Sequence, residues 1–467
     1  MADVCIFYAR LDEAFAERLH AMLSARWNVW WDRDIVGPFA EAIEREASST
    51  TCCVPIWSKN ARGNPNVGDE LRLARESGRP IIPVRIDDSQ PPYGYGDLSS
   101  VDLRGWSGET DHPGIRQLVH RISLLVSPRR RPTRPESLAS GRLELPALFL
   151  SVSSYETRLP PLDALRALRL FGADALLVSA YDLAVARRSD EMVEELALFR
   201  EQGGFVLVDS GNYEAYRMQD KDWCPAQLAE ALSGVPRDWL CSFDVMTPPS
   251  DPSEAIECVV AAVGRDQTQS GTEVVPIIHA GKTCDGNHDP SGLPAVIRAV
   301  AEHLAPPMIA VPERELGPGI IERARTVRRI RAELDSLPIY QPLHLLGTGN
   351  PWSIAVLAAA GADSFDGLEW CRIAVDAKTG TLHHIQHFDF FAWQASSALS
   401  PITQAAVGDA RVDYTGKVAF HNLEYFRTFC RKLREHSRSH KMEVFITGLL
   451  GSDNKDELTR QMPELFA

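Results

Sequence analysis

Short apolar runs alternate with amphipathic segments along most of the chain, and this alternation predicts its fold. Among residues 1–86, the runs VCIFYA, VWWD, CCVPIWS and PIIPVRI are separated by helix-like segments such as DEAFAERLHAMLSA and DELRLARESG. Strands and helices that take turns at this spacing favour a parallel sheet with helices on both faces. Ligands in such folds bind at the carboxyl ends of the strands.

The same alternation continues downstream for longer. Eight strands are predicted there, at residues 146–152, 175–180, 205–208, 239–243, 274–278, 308–311, 343–346 and 363–366, with seven helix-like segments between them. Eight strands in alternation with helices over about 230 residues are what a (β/α)8 barrel, or TIM barrel, requires. The active site of such a barrel lies where the strands end.

A polar segment separates the two regions. Residues 127–142, SPRRRPTRPESLASGR, are rich in Pro, Arg and Ser without apolar periodicity, which predicts an exposed linker. We interpret its arginines as solvated rather than as nucleic-acid contacts. The predicted organisation is a first domain at 1–126, a linker at 127–142, and a barrel domain at 143–467 that ends in a helical tail.

Composition narrows the class of protein. The 467 residues are 44% hydrophobic and 24% charged, which is ordinary for a globular protein, and no apolar run has the ~20 residues that span a bilayer. MADVCIFYAR shows no signal-peptide pattern, so we expect a cytoplasmic protein without a membrane partner. The net charge of -14 disfavours broad nonspecific nucleic-acid binding. Nine cysteines without a CxxC pair argue against a disulfide framework and a cysteine-rich zinc site.

Several chemically distinctive residues lie at the predicted strand ends of the first region. They are Tyr8 and Arg10 after the first strand, Asp32 and Gly37 after the second, Trp57 at the end of the third, and Glu70 at the start of the helix DELRLARESG. Taken alone, a carboxylate on a first helical turn indicates only stabilisation of the helix dipole.

In that order and spacing, residues 2–126 resemble the Toll/interleukin-1 receptor (TIR) domain family, with its motifs at IFYAR, WWDRDIVGP and DELRLA. The resemblance implies a flavodoxin-like parallel sheet, NAD+ as substrate, and self-association into a homo-oligomer. It places the catalytic glutamate on Glu70 and an NAD+ site at Tyr8, Arg10, Asp32, Gly37 and Trp57. A carboxylate suits cleavage of the nicotinamide–ribose bond, because the transition state develops oxocarbenium charge. Asn66 departs from the Ser and Trp that several catalytic members carry before the glutamate, and a non-catalytic adaptor role stays open.

Three predicted barrel strands end in an aspartate. Asp209 follows the third strand in VDSGNY, Asp244 the fourth in CSFDVMTPP, and Asp366 the eighth in ADSFDGLEWCR. Each alone is typical of a helix cap or a turn. Because all three fall at strand ends of one barrel, we predict that they form a site.

Residues 143–436 resemble the tRNA-guanine transglycosylase family, which exchanges a guanine base through a covalent ribosyl-enzyme intermediate. The matching motifs are SAYDL at 179–183, DSGNYE at 209–214, FDVMTPP at 243–249, LLGTGNP at 345–351, DSFD at 363–366 and His421-Asn422-Leu423. The resemblance implies that Asp366 is the nucleophile, Asp209 a general acid/base and Asp244 the reader of the base edge. It also implies base or ligand binding by Tyr181, Ser210, Gly211, Gly347 and Gly349.

The chain departs from this family at its zinc site and at its base-recognition loops. His421 is present, but no cysteine lies between Cys371 and Cys430, so we expect no zinc. We interpret His383, His384 and His387 as surface or satisfied histidines rather than substitute ligands. The loops read IIHAGK at 277–282 and MIAVPERELG with Pro312, and Asn212 replaces a glycine. Base recognition is therefore expected to be altered or lost, while the three aspartates are kept.

Three functional hypotheses remain. In the first, the TIR part hydrolyses or cyclises NAD+ when the barrel senses a nucleotide, modified base or nucleic acid, and the resemblance implies bacterial antiphage defence. In the second, the barrel is a transglycosylase acting on tRNA or DNA, and the TIR part is an assembly module. In the third, both sites are degenerate and the protein acts through assembly alone. The altered loops and acidic charge favour the first hypothesis over the second.

Overall fold

The computed structural model describes residues 2–34, 46–128, 132–155, 157–185 and 189–466. The chain divides into two compact units, one formed by residues 1–134 with 335–340 and the other by residues 135–334 and 341–467. Each unit has its own sheet. The predicted boundaries at residues 126 and 143 stay predictions.

The first unit contains a parallel sheet of five strands in the order β2-β1-β3-β4-β5. The strands are β1 Val4–Phe7, β2 Val29–Trp30, β3 Cys52–Trp57, β4 Val84–Arg85 and β5 Val101–Asp102. The helices whose full bounds the structure describes in this unit are Glu13–Ser24, Pro65–Glu76 and Pro113–Ser123. β1 and β3 are buried along their whole length, which explains their unbroken apolar sequences. The predicted flavodoxin-like parallel-sheet fold is confirmed.

One helix of this unit begins earlier than predicted. Pro65 starts it, because Pro suits the first helical position and the Asn64 side chain accepts the Asn66 N–H as an N-cap. Glu70 therefore lies in the second turn and not at the start of the helix, which makes simple dipole stabilisation a poorer explanation for it.

The second unit contains an eight-stranded parallel sheet in the order β10-β9-β8-β7-β6-β13-β12-β11. The strands are β6 Ala147–Val152, β7 Ala175–Ser179, β8 Phe205–Asp209, β9 Trp239–Cys241, β10 Glu273–Val275, β11 Ile309–Pro312, β12 Leu343–Leu346 and β13 Ser364–Gly367. All eight predicted strands are confirmed to within three residues at each end. The barrel prediction is confirmed as well.

Residues just after β10 close the barrel. Ile277 pairs with Ala310 of β11 in a short parallel bridge. The Ile278 N–H donates to the Ala310 carbonyl at 2.9 Å, and the Ala310 N–H donates to the Pro276 carbonyl at 2.9 Å. The seam between β10 and β11 thus contains one bridge, whereas β7 and β8 pair along five residues.

Helices alternate with the barrel strands and continue into the C-terminal tail. They are Pro161–Phe171, Ala180–Val185, Ser189–Glu201, Asn212–Met218, Pro225–Ala231, Pro252–Ser270, Leu293–Leu304, Ile320–Leu334, Pro351–Ala359, Glu369–Arg372, Pro401–Gly408, Tyr414–Arg438, Met442–Leu450 and Ser452–Gln461. None of the helices in the described part of the chain has both the length and the apolar content needed to cross a membrane.

Three short antiparallel pairs were not predicted. Ser137–Leu138 pairs with Leu143–Glu144, Gly281–Lys282 with His288–Asp289, and Ile373–Val375 with Leu382–His384. Strands of two or three residues are too short to show an alternating pattern. The first pair lies at the end of the predicted linker.

Candidate functional site

The carboxyl ends of the barrel strands surround a cavity of about 330 Å³. Asp209 is the last residue of β8, Asp244 follows β9, and Asp366 lies in β13. All three side chains line the cavity. The structure therefore brings together the three aspartates that the sequence placed at strand ends.

Asp366 is held by donors on both of its carboxylate oxygens. Oδ1 accepts the Gly347 N–H at 2.7 Å, and Oδ2 accepts the Ser151 hydroxyl at 2.8 Å. The side chain is 8% exposed, so these bonds fix its direction in a largely dry site. A carboxylate oriented in this way suits attack on an anomeric carbon.

Asp209 has a second carboxyl group as a neighbour. Its Oδ2 accepts the Gly211 N–H at 3.0 Å. Burial, and then the charges of Asp244 and Asp366, raise the pKa of Asp209. Burial and the charge of Asp209 also raise the pKa of Glu214, which lines the same cavity. Because each of these carboxyl groups opposes the ionisation of the other, the pair favours keeping a proton on one of them, which suits proton transfer to a leaving base.

Asp244 is bound to the neighbouring strand end by a buried histidine. His279, just after β10, places Nε2 2.5 Å from Asp244 Oδ2 and Nδ1 2.9 Å from Glu315 Oε1. Burial alone would lower the pKa of His279, but its hydrogen bonds to the two carboxylates raise it to about 9. Both ring nitrogens therefore donate, and an imidazolium bridges the two acids.

The other oxygen of Asp244 also accepts from the protein. Oδ1 lies 3.4 Å from the Ser210 hydroxyl and 3.2 Å from the Asn212 amide nitrogen. That amide also donates to the Asp244 carbonyl at 2.9 Å. Asn212, which replaces a glycine of the resembled motif, thus holds Asp244 in place.

Some of the predicted ligand-binding residues line the cavity and others do not. Ser210 and Gly347 line it. Tyr181 turns its hydroxyl to Asp220 at 3.2 Å, and Gly211 packs against Tyr181. Gly349 lies against the Glu369 carboxylate, so close that a Cβ would stand 1.6 Å from Oε2. These three residues are not among those that line the cavity, and the ligand-binding roles assigned to all five residues stay predictions.

A cluster of tyrosines and arginines near the cavity was not predicted. Tyr155, Tyr213 and Arg314 line the cavity. The Arg314 guanidinium lies over the Tyr213 ring at 4.6 Å and donates to its hydroxyl at 3.0 Å. Arg217 lies over the Tyr155 ring at 4.8 Å. Tyr213 and Arg217 share the helix Asn212–Met218, whereas Tyr155 and Arg314 come from two other strand ends. No local sequence pattern therefore indicates the contacts of Arg217 with Tyr155 and of Arg314 with Tyr213.

His421 has a structural partner within the protein. Its Nε2 donates to the Val375 carbonyl at 2.8 Å, and burial lowers its pKa. His383 lies 3.0 Å from the Thr381 hydroxyl. Among the described residues, no three His, Cys, Asp or Glu side chains are arranged to hold a metal ion. The expectation of a protein without zinc stays a prediction.

In the first unit, Glu70 is half-buried and keeps one oxygen unpaired. Within the described ranges, its buried Oε2 has no hydrogen-bond partner. Burial, and then the charges of Asp32 and Asp69, raise the pKa of Glu70 to about 8. A carboxyl group that is buried without a partner is destabilised in its charged form, which is typical of functional sites.

The predicted NAD+-binding residues occupy different surroundings. The Tyr8 hydroxyl donates to Asp32, and the hydrogen bond and charge of Asp32 add to burial in raising the pKa of Tyr8. Trp57 is buried beside Val67 and Leu71, which belong to the helix of Glu70. Arg10 is exposed. Gly37 lies outside the described residues, and all five roles stay predictions.

The structure thus defines a parallel-sheet α/β unit with a buried glutamate and a (β/α)8 barrel with a carboxylate-lined cavity. Residues 4–119 match the family model of the TIR domain. The barrel region is similar to archaeal proteins named tRNA-guanine(15) transglycosylase. These matches are consistent with a fusion of a TIR domain and a transglycosylase-like domain, and they confirm both resemblances.

The similarity to the transglycosylases is moderate. The relative from Methanopyrus kandleri is 28% identical over 245 residues, which cover 50% of this chain and 50% of the relative. The relative from Haloferax volcanii is 24% identical over 294 residues, covering 60% and 52%, and that from Thermococcus onnurineus is 20% identical over 340 residues, covering 70% and 54%. The chain spans about half the length of the curated relatives it matches.

Proposed function

We propose that the TIR domain cleaves the bond between nicotinamide and ribose in NAD+, by hydrolysis or cyclisation, and that the barrel controls this reaction by binding a nucleotide, modified base or nucleic acid. The match of residues 4–119 to the TIR domain supports the coarser statement that this part serves NAD+ cleavage or signalling. The specific reaction and its control are our proposal.

Glu70 carries the proposal for the TIR domain. Its Oε2 has no partner among the described residues, and its pKa is raised to about 8. A substrate with a positive nicotinamide ring supplies the missing partner and favours the carboxylate. The carboxylate then stabilises the oxocarbenium charge that develops on the ribose as nicotinamide leaves.

The test is nicotinamide release by the full-length protein, with and without extract from phage-infected cells. Wild type is expected to release nicotinamide, and Glu70→Gln to lower the rate by about a hundredfold or more. Glu76→Gln is the matched control, because Glu76 lies on the same helix and makes only an exposed ion pair with Arg72 at 3.6 Å. Release that is equal in Glu70→Gln and wild type, or absent under every condition, contradicts the proposal.

A second candidate function is base exchange in tRNA or DNA by the barrel. The observation that favours it is the orientation of Asp366, whose two oxygens accept from Gly347 and Ser151 inside the cavity. Incorporation of a labelled base that Asp366→Asn abolishes would support it. Asp220→Asn is the control, since Asp220 accepts from Tyr181 and does not line the cavity.

We further propose that the protein acts in the cytoplasm of bacteria as an antiviral signalling effector, and that its TIR domains assemble into homo-oligomers. Loss of NAD+ halts the metabolism of an infected cell. Protection of cells from phage that requires Glu70 would support this role. Protection that persists in Glu70→Gln would instead favour action through assembly alone.

A further inference from the structure

The hydrogen-bonding capacity of the cavity is distributed unevenly over its walls. On one wall, Asp244 accepts from His279, Ser210 and Asn212, so both of its oxygens are occupied by the protein. Glu214 also lines the cavity, and its Oε2 has no partner within the described ranges. A ligand with N–H groups therefore finds little free acceptor capacity at Asp244.

The bridge that occupies Asp244 is fully buried. The exposed fractions are 6% for the His279 side chain, 7% for Asp244 and 2% for Glu315. Glu315 is fixed in turn, because its Oε2 accepts the Ala280 N–H at 2.9 Å. Displacing His279 from Asp244 would leave an imidazolium and a carboxylate buried without each other, which is strongly unfavourable.

We infer that His279 is a specificity-determining residue, which closes the Asp244 wall so that the cavity excludes a base with two adjacent N–H donors, such as guanine. Guanine presents N1–H and the N2 amino group side by side, and a carboxylate reads both only when each of its oxygens has a lone pair available to the ligand. His279 holds Oδ2 of Asp244 at 2.5 Å, whereas the contacts of Oδ1 with Ser210 and Asn212 are long, at 3.4 and 3.2 Å, so His279 is the donor that prevents this reading. The cavity therefore takes a purine or nucleoside whose edge toward His279 lacks this pair, such as adenine. The inference rests on the proposal that the barrel binds a nucleoside-type ligand.

Isothermal titration of the full-length protein with guanine and with adenine tests this inference. We expect His279→Ala to bind guanine at least tenfold more tightly than wild type does. Because this substitution leaves Asp244 and Glu315 buried without a cation, the double variant His279→Ala/Glu315→Gln is titrated beside it, and thermal melts confirm that both fold. His288→Ala is the matched control: His288 lies 3.7 Å from Glu315 and does not line the cavity.

The outcomes separate the inference from the proposal on which it rests. Tighter guanine binding by either His279 variant, and unchanged binding by His288→Ala, supports the inference. Guanine binding that is as tight in wild type as in the folded variants overturns it and leaves the barrel's binding function intact. Failure of wild type and of every variant to bind guanine or adenine overturns the binding function, and the inference with it.

Discussion

Three aspartates at equivalent strand ends differ in what surrounds them, and the surroundings suit different tasks. Asp366 is oriented by an N–H and a hydroxyl, and Asp209 has Glu214 as a second carboxyl neighbour. Asp244 is occupied by an imidazolium and two further donors. The residue type alone therefore does not define the chemistry of each position.

The sequence predicted the convergence of the aspartates but not their partners. Strand-end positions follow from the apolar pattern, so Asp209, Asp244 and Asp366 could be grouped from the sequence alone. His279 and Glu315 lie 36 residues apart, and no local pattern pairs them. The departure of the loop IIHAGK from the family motif indicated where base recognition changes. The bridge between His279 and Glu315 depends on side-chain directions, which packing determines and a local sequence pattern does not.

The raised pKa of Glu70 predicts how NAD+ cleavage depends on pH. Burial, and then the charges of Asp32 and Asp69, raise this pKa to about 8, so the carboxylate fraction increases as the pH rises through that value. If the carboxylate is the active form, kcat/KM for NAD+ increases about tenfold between about pH 7 and pH 9. Initial rates across this range check the expectation, and a flat or falling profile contradicts it.

Asp69→Asn provides an internal comparison for that profile. Asp69 is exposed and forms an ion pair with Arg72, and its negative charge contributes to raising the pKa of Glu70. Removing this charge shifts the rise in kcat/KM to lower pH without removing the glutamate. An unshifted profile would show that another group titrates.

His279 predicts a pH dependence of barrel stability. Its pKa is raised from 6.5 to about 9 in the folded protein. Protonated His279 therefore stabilises the folded state of the barrel. This stabilisation is fully present below the unfolded pKa of about 6.5 and is lost as the pH rises through about 9. Its upper limit is about 3 to 4 kcal/mol, because the shift spans about 2.5 pKa units and each unit corresponds to about 1.4 kcal/mol.

Urea unfolding of wild type and His279→Gln at pH 6 and pH 9.5 measures this contribution. We expect the difference in unfolding free energy between the two proteins to be larger at pH 6. A difference that is constant or larger at pH 9.5 would show that the histidine is not an imidazolium in the folded state.

At the scale of elements, the sequence predicted best where strands are buried on both faces. Such strands read as continuous apolar runs, and all eight barrel strands were found from them. Helix starts were less accurate, since Pro65 begins its helix inside a segment that looked irregular. Two-residue strands such as Val101–Asp102 carry too few positions for any pattern.

Gly203 lies just before β8 and Gly211 just after it, and we expect alanine to destabilise the fold to a different extent at these two positions. Gly211 has φ +75°, and an added Cβ would lie 2.4 Å from the Tyr181 backbone nitrogen. Gly203 also has a positive φ, +93°, but nothing lies within 4 Å of the Cβ position. We expect Gly203→Ala to cost about 1 kcal/mol, from backbone conformation alone.

Gly211→Ala is expected to cost at least about 2 kcal/mol more, because the backbone at Tyr181 must move as well. Since Gly211 also donates to Asp209, ligand binding in the cavity weakens with it. Thermal melts and ligand titrations of the two variants check this order. Equal destabilisation would mean that the turn relaxes without strain.

At the scale of the whole molecule, the protein joins two units, and under our proposals each unit has a site for a ribosyl compound. The proposed role of Glu70 in the TIR unit is cleavage of NAD+, and the proposed ligand of the barrel cavity is of nucleoside type. The sequence divided the chain into these two parts, because the apolar alternation stops at the polar segment 127–142. The assembly that we propose for the TIR domains is not encoded in such a pattern.

Self-association predicts that NAD+ cleavage depends on protein concentration. If assembly of TIR domains completes the active site, the rate per chain increases with concentration until the oligomer is saturated. Rates measured over a hundredfold range of protein concentration, with size-exclusion profiles at each, check this expectation. A constant rate per chain would indicate an active monomer.

The single bridge between Ile277 and Ala310 connects recognition to the integrity of the barrel. His279 follows that bridge directly and ties the ends of β9, β10 and β11 together through Asp244 and Glu315. It therefore links the strand ends by side-chain hydrogen bonds at the seam where the neighbouring barrel strands have the fewest paired residues. Under the proposed role of His279, a substitution that removes this histidine changes both the base preference and the closure of the barrel, so neither property can be altered alone at this position.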